Sequence, residues 1–121
     1  MNLKNKKNDY EEALNYLDDS IELFRIHDTE MQAQTMRCFL RVALAPKEGV
    51  SMQQIIEDLD IAQSTLSRNI AMLSKFNRHK VSGHGFVESF EDPMERRRKL
   101  VKLTSKGQKV ANGLARGYHA Y

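Results

Sequence analysis

Two segments in the second half of the chain carry polar and cationic side chains in patterns that suit contact with a nucleic acid. Residues 61–70 contain amide, hydroxyl and guanidinium groups, which can hydrogen-bond to base edges or to phosphates. An acidic-proline turn at Asp92-Pro93 leads into consecutive arginines, and the negative potential of a narrow minor groove attracts such side chains. Together the two segments predict that the protein contacts double-stranded DNA.

The residues expected to contact DNA fall into three groups. In a helix over residues 61–70, amides suit adenine and a guanidinium suits guanine, so base contacts are expected from Gln63, Ser64 and Arg68. Thr65 and Ser67 are expected to contact DNA nearer its backbone, and Asn69 is the remaining outward position predicted for that helix. Phosphate contacts are expected from the basic stretch that follows, which contains Lys75, Arg78 and Lys80. The last group consists of Arg96, Arg97 and Arg98.

The three arginines are expected to have different roles. One arginine is predicted to point at DNA, while another pairs with Asp92 or Glu95 and holds the turn in shape. Alternation along a strand predicts Arg96 and Arg98 on one side and Arg97 on the other. For both segments the alternative is an ordinary solvated surface.

Charge is distributed unevenly along the chain, although the formal net charge is only +3. Residues 1–61 contain seven Lys or Arg and twelve Asp or Glu, whereas residues 62–109 contain eleven and four. A basic segment next to an acidic one is expected of a phosphate-binding face. Because the boundary coincides with the start of the predicted DNA-contacting helix, it favours binding over a merely solvated surface.

Hydrophobic periodicity predicts the elements that position these side chains. Capping boxes at Asp9, Thr29 and Ser51 indicate three helix starts, and a tight turn at residues 60–62 joins the third helix to a fourth. Alternating residues 86–91 and 98–103 indicate two wing strands. We therefore expect a mainly α-helical fold with a small β-wing, a winged helix-turn-helix, as one domain over residues 1–121. Its parts are an N-terminal helix (9–27), a helix-turn-helix (51–76), a wing (85–104) and a C-terminal helix (104–119).

The first predicted helix has a narrow apolar seam at heptad spacing, formed by Tyr10, Leu14, Leu17, Ile21 and Phe24. This seam is too short for a freestanding coiled coil, so it needs a partner. Either the rest of the domain or a second subunit can supply it. We expect a homodimer contact, and packing within the domain stays open.

The wing resembles that of the multiple-antibiotic-resistance regulator (MarR) family. The matching residues are Gly85-Phe86-Val87, Asp92-Pro93, Glu95-Arg96-Arg97, and Val101-Lys-Leu-Thr104 with Gly107. The preceding helix-turn-helix agrees in order and spacing, so the resemblance covers residues 29–110. It implies a winged-helix homodimer on pseudo-palindromic DNA, usually a repressor and often released by a ligand. It also places Arg97 at the family's wing arginine and Thr104 at its helix-starting threonine.

No catalytic, cofactor or metal site is predicted. The four histidines are scattered, without the cysteine or carboxylate spacing of a zinc site. Cys38 lies beside Phe39 on the second predicted helix and is expected to be a buried apolar residue. A single cysteine fits a reducing cytosol, and no apolar run is long enough to span a membrane, so a cytoplasmic protein without membrane contact is expected. Nothing in the residues indicates a small-molecule effector.

These observations predict a sequence-specific, double-stranded DNA-binding transcriptional regulator, in particular a repressor that acts as a homodimer. Two alternatives stay open. One is a protein-binding winged-helix adaptor, or an inhibitor from a mobile element, since only residues 105–121 remain for the long final helix that usually builds the family's dimer. The other is a replication or plasmid-maintenance factor, which would also bind DNA but at an origin.

Overall fold

The computed structural model describes residues 3–75 and 83–119, with side chains described over residues 8–75 and 83–117. The elements follow in the order α1 (Leu3–His27), α2 (Ala33–Ala43), β1 (Val50–Ser51), α3 (Met52–Leu59), α4 (Gln63–Leu73), β2 (Val87–Glu91), β3 (Lys99–Leu103) and α5 (Ser105–His119). The strands form an antiparallel sheet in the order β1-β3-β2. This architecture confirms the predicted winged helix-turn-helix.

The chain divides into two compact units. The larger, residues 32–111, contains the helix-turn-helix and the wing, and the smaller comprises residues 1–31 and 112–121. The single domain expected over residues 1–121 stays a prediction.

Two of the three predicted helix starts are wrong. Helix α1 already begins at Leu3, because residues 3–8 contain no Pro or Gly that would stop a helix before Asp9. Helix α2 begins only at Ala33, without a side-chain cap. Part of the predicted capping box lies instead in a tight turn over residues 28–31. The Asp28 carboxylate accepts the Glu30 N–H (2.9 Å), and the Asp28 carbonyl accepts the Met31 N–H (3.0 Å).

The helix-turn-helix is built as its sequence predicts. Ser51 caps α3 by accepting the Gln54 N–H at 3.0 Å. Asp60 ends α3 in the left-handed conformation (φ 51°), which a short polar side chain tolerates. The apolar spacing predicts Ile55, Ile56 and Leu59 on the inner side of α3, and Leu66, Ile70 and Leu73 on the inner side of α4. All of these are buried except Ile56, which is half-buried.

Strand β1 is a feature that the sequence did not indicate. Val50 pairs with Val101 and Ser51 with Leu100, so the predicted two-stranded wing gains a third strand. Two residues are too few for an alternating pattern to identify a strand. Their pairing ties the wing to the start of α3.

The base of the wing is fixed by a junction of four residues, Gly85, Phe86, Thr104 and Gly107, which we call the wing root. The Thr104 hydroxyl donates to the Gly85 carbonyl (2.6 Å) and accepts the Gly107 N–H (3.0 Å), so Thr104 caps α5 as predicted. The Thr104 N–H donates to the Phe86 carbonyl (3.0 Å), and the Phe86 N–H donates to the Leu73 carbonyl (2.8 Å). The wing root therefore attaches both ends of the hairpin to the end of α4.

In the smaller unit, α1 packs against the end of α5. The Tyr16 hydroxyl donates to the Leu114 carbonyl at 3.3 Å. Gly113 and Gly117 face Leu23 and Tyr16, at distances where a methyl group would make ordinary contact. These two glycines therefore do not prevent helix packing, although they lower the intrinsic stability of α5.

Replacing Gly107 with Ala is expected to destabilise the fold. A Cβ at Gly107 would collide with the Phe86 carbonyl oxygen, and such overpacking costs about 1–3 kcal/mol of the free energy of unfolding. Urea denaturation measures the change.

Gly113→Ala is the matched control in the same helix, because its Cβ would lie 3.5 Å from the Leu23 Cδ1. That variant should be as stable as the wild type or more stable, by up to about 1 kcal/mol. Equal losses of stability in the two variants would contradict the wing-root account.

Candidate nucleic-acid interface

Helix α4 presents most of its polar side chains to solvent. Gln63, Ser64, Ser67 and Arg68 are exposed, and Thr65 is half-buried. Ala62 stands at the N-cap without a side-chain hydrogen bond, as its residue type predicts. The first turn of α4 is thus not capped by a side chain, and the positive end of its dipole favours an anion there.

Asn69 is not part of this exposed face, and the prediction that it faces outward is wrong. It is only 4% exposed because it lies three residues after Leu66, on the buried stripe of α4. Its Nδ2 donates to the Thr65 carbonyl (2.8 Å), and its Oδ1 accepts the hydroxyl hydrogen of the buried Thr35 (2.6 Å). Asn69 therefore fixes the position of α4 on α2.

The tip of the wing consists of two consecutive tight turns over residues 92–98. The Glu95 N–H donates to the Asp92 carbonyl (3.2 Å), and the Arg98 N–H donates to the Glu95 carbonyl (2.9 Å). The Asp92 N–H closes the hairpin by donating to the Arg98 carbonyl (2.8 Å). The expected internal ion pair is formed by Arg98, whose Nε lies 3.9 Å from the Asp92 carboxylate.

These turns overturn the predicted alternation of the arginines. Arg96 and Arg97 lie in the second turn, and Arg98 precedes β3, which begins only at Lys99. Strand geometry therefore does not apply to them. All three side chains are exposed.

Helix α4 and the wing line one groove, which we call the recognition groove. It has a volume of about 420 Å³ and lies within the larger unit. Its predicted DNA-contacting residues are Gln63 and Ser67 from α4 and Arg97 and Arg98 from the wing. The other lining residues, which were not predicted to contact DNA, are Met52, Gln53, Ile56 and Lys99. Two segments separated by about thirty residues in the chain thus meet at one concave surface.

Lys75 lies elsewhere, in a basic groove of about 1020 Å³. The lysines that line this groove are Lys47, Lys75, Lys102 and Lys106. Among its described lining residues, the one carboxylate belongs to Glu88, which is 3.6 Å from Lys102 Nζ. Three of these lysines were missed because they come from separate parts of the sequence and converge only in the folded chain. The predicted contacts Arg78 and Lys80 lie outside the described residues.

His84 and Cys38 have structural roles. His84 donates from Nδ1 to the Met72 carbonyl (2.7 Å) and stacks on Phe86 with ring centroids 5.4 Å apart. Cys38 is fully buried, and this burial raises the pKa of its thiol, which favours the neutral form. Within residues 3–75 and 83–119, no three His, Cys, Asp or Glu side chains are grouped as a metal site requires. Nor does any helix in those residues have the length and apolar character needed to cross a membrane.

No family model and no curated protein matches this chain. Several solved structures, in contrast, match its fold. The S. aureus MepR–DNA complex matches with a TM-score of 0.68 and 16% identity, over 94% of this chain and 82% of that chain. The transcriptional regulator Tm0710 from Thermotoga maritima matches with a TM-score of 0.70 and 14% identity, over 98% and 75%.

A third structure is Sco3205, a MarR family transcriptional regulator from Streptomyces coelicolor in complex with DNA. It matches with a TM-score of 0.63 and 22% identity, over 94% of this chain and 66% of that chain. The protein therefore has the winged-helix fold of MarR-type regulators, and the resemblance found in the sequence is confirmed at the level of the fold.

The buried Thr35–Asn69 pair yields a test of how α4 is positioned. Asn69→Leu leaves the Thr35 hydroxyl without its acceptor, which should lower the free energy of unfolding by about 1–3 kcal/mol. The double variant Thr35→Val/Asn69→Leu should lose less than the sum of the single losses, with a coupling of about 0.5–3 kcal/mol.

Denaturant unfolding of the wild type, the two single variants and the double variant measures this coupling. Ser67→Ala on the exposed face of α4 is the control and should change stability by no more than about 0.5 kcal/mol. Strict additivity of the two single changes would refute the positioning role.

Proposed function

We propose that this protein is a sequence-specific double-stranded DNA-binding transcriptional regulator, and that it represses transcription in the cytoplasm as a homodimer. The recognition groove carries this proposal. A helix fits the major groove of B-DNA, and Gln63 and Arg68 are side chains that can read adenine and guanine there. The wing contributes Arg97 and Arg98 beside that helix, where cations suit an adjacent minor groove.

The structural neighbours support binding to duplex DNA. The MepR and Sco3205 structures are complexes with DNA, and each shares its fold with 94% of this chain. We propose the same kind of docking here, with two copies of α4 in successive major grooves about 34 Å apart. Phosphate contacts from the basic half of the chain would make binding strongly dependent on salt.

The exposed seam of α1 supports a homodimer. Tyr10, Leu14, Leu17 and Ile21 are 68%, 50%, 55% and 40% exposed, whereas Phe24, the last residue of the seam, is 4% exposed. Four large apolar side chains on one side of a helix remain in contact with water, which favours burial against another chain. The same seam keeps a second candidate function open, because a protein-binding adaptor would also use it.

Selection of bound duplexes from a random pool, followed by gel shifts at increasing salt, tests the proposal. A regulator should select a two-fold symmetric motif with half-site centres about 10–10.5 base pairs apart. Its affinity should fall steeply with salt. Recovery of no duplex, even at low salt, would reject DNA binding and favour the adaptor.

Arg68→Ala and Lys75→Ala should weaken binding in different ways. Loss of the Arg68 guanidinium should relax preference at one base pair by about 1–3 kcal/mol. Loss of Lys75 should weaken specific and random duplexes alike and lower the slope of log affinity against log salt by about 1. Titrations of both duplexes at several salt concentrations separate the two effects, and equal losses on both duplexes for both variants would contradict this division.

Charging the seam should separate the subunits. In Leu14→Glu/Leu17→Glu, two carboxylates replace apolar groups at the proposed contact, so sedimentation should show a monomer and affinity for the symmetric duplex should fall. Ile26→Glu is the control, because Ile26 is 74% exposed but lies on the opposite side of α1 at 3.6 residues per turn. A wild type that is monomeric at all concentrations would rule out the homodimer.

A further inference from the structure

The tip of the wing is apolar although the residues around it are charged. Pro93 and Met94 stand between Asp92 and Glu95, the arginines follow Glu95, and Met94 is 93% exposed. No other large hydrophobic side chain in the described residues is as exposed. A turn that only faced solvent or contacted phosphates would not require an apolar side chain such as that of methionine.

The turn holds Met94 in a defined place. Pro93 occupies the second position of the turn over residues 92–95, where its fixed φ is suitable. The Met94 N–H donates to the Asp92 carboxylate at 2.9 Å, which orders the backbone at the tip. Because this backbone is ordered before binding, little conformational freedom remains to be lost when the tip meets a partner.

The position of the tip relates it to the recognition groove. Arg97 and Arg98 line that groove with Gln63, and they follow Met94 by three and four residues. If the arginines approach the phosphates of a minor groove, the adjoining tip approaches the same groove. Apolar side chains of this kind can enter between base steps in the minor groove, and methionine adapts its shape readily.

We propose that Met94 is a minor-groove contact residue that places its apolar side chain against a base step of the flanking DNA. Pyrimidine–purine steps unstack most easily, so Met94 gives a preference for such a step beneath the wing. This inference rests on the proposed DNA-binding function. It adds a specificity-determining residue whose action does not depend on charge.

The test compares Met94→Ala and Met94→Leu with the wild type on the selected duplex, by fluorescence anisotropy at several salt concentrations. Met94→Ala should weaken binding about tenfold, which corresponds to about 1.4 kcal/mol. The slope of log affinity against log salt should not change, because no cation is lost. Met94→Leu should retain most of the affinity. Leu44→Ala, which trims another exposed apolar residue (70%), should bind like the wild type.

A second duplex carries the same two base pairs beneath the wing in the reverse order, as a purine–pyrimidine step, which unstacks less easily and creates no A-tract whose narrow minor groove would attract the arginines. This change should weaken the wild type but make little difference to Met94→Ala. Thermal melts of the free proteins should coincide, since the side chain is exposed. If Met94→Ala binds both duplexes as the wild type does, Met94 is not a contact residue, while the proposed function stands. If the wild type binds no duplex, both proposals fail.

Discussion

The hydrogen bonds of the wing root are the constraint on which the rest of the structure depends. Phe86 donates its N–H to the last residue of α4, and Thr104 bonds to Gly85, Phe86 and Gly107 at the other end of the hairpin. Both strands are therefore attached where α4 ends. The proposed DNA-binding surface is divided between α4 and the wing. The wing root sets the position of one part relative to the other, so the geometry of this surface depends on its hydrogen bonds.

Two further sets of polar contacts prepare the same surface. The Thr35–Asn69 hydrogen bond attaches the buried side of α4 to α2. The exposed side of α4 is therefore not needed for packing and can consist of short polar and basic side chains. At the wing, the Asp92 backbone and carboxylate order the tip. Polar contacts of the larger unit thus fix the positions of α4 and the wing tip, while Arg68, Arg96 and Arg97 stand exposed on its surface.

The sequence predicted those features that depend on local patterns. The spacing of Leu66, Ile70 and Leu73 identified the buried side of α4, and Thr104 identified the start of α5. The prediction that Asn69 faces outward was wrong, because a polar residue buried at an apolar position of a helix can be recognised only once its hydrogen-bond partner, here Thr35 on α2, is known. Strand β1 and the four-lysine groove depend on contacts between distant residues, which periodicity and residue type do not encode.

The central claim is that helix α4 and the wing form one surface for duplex DNA. Amide NMR spectra recorded while the selected duplex is added test it most directly. The account predicts that signals from residues 63–68 and 92–99 move together, at the same ratio of DNA to protein. Changes confined to α1, or to only one of these two segments, would contradict it.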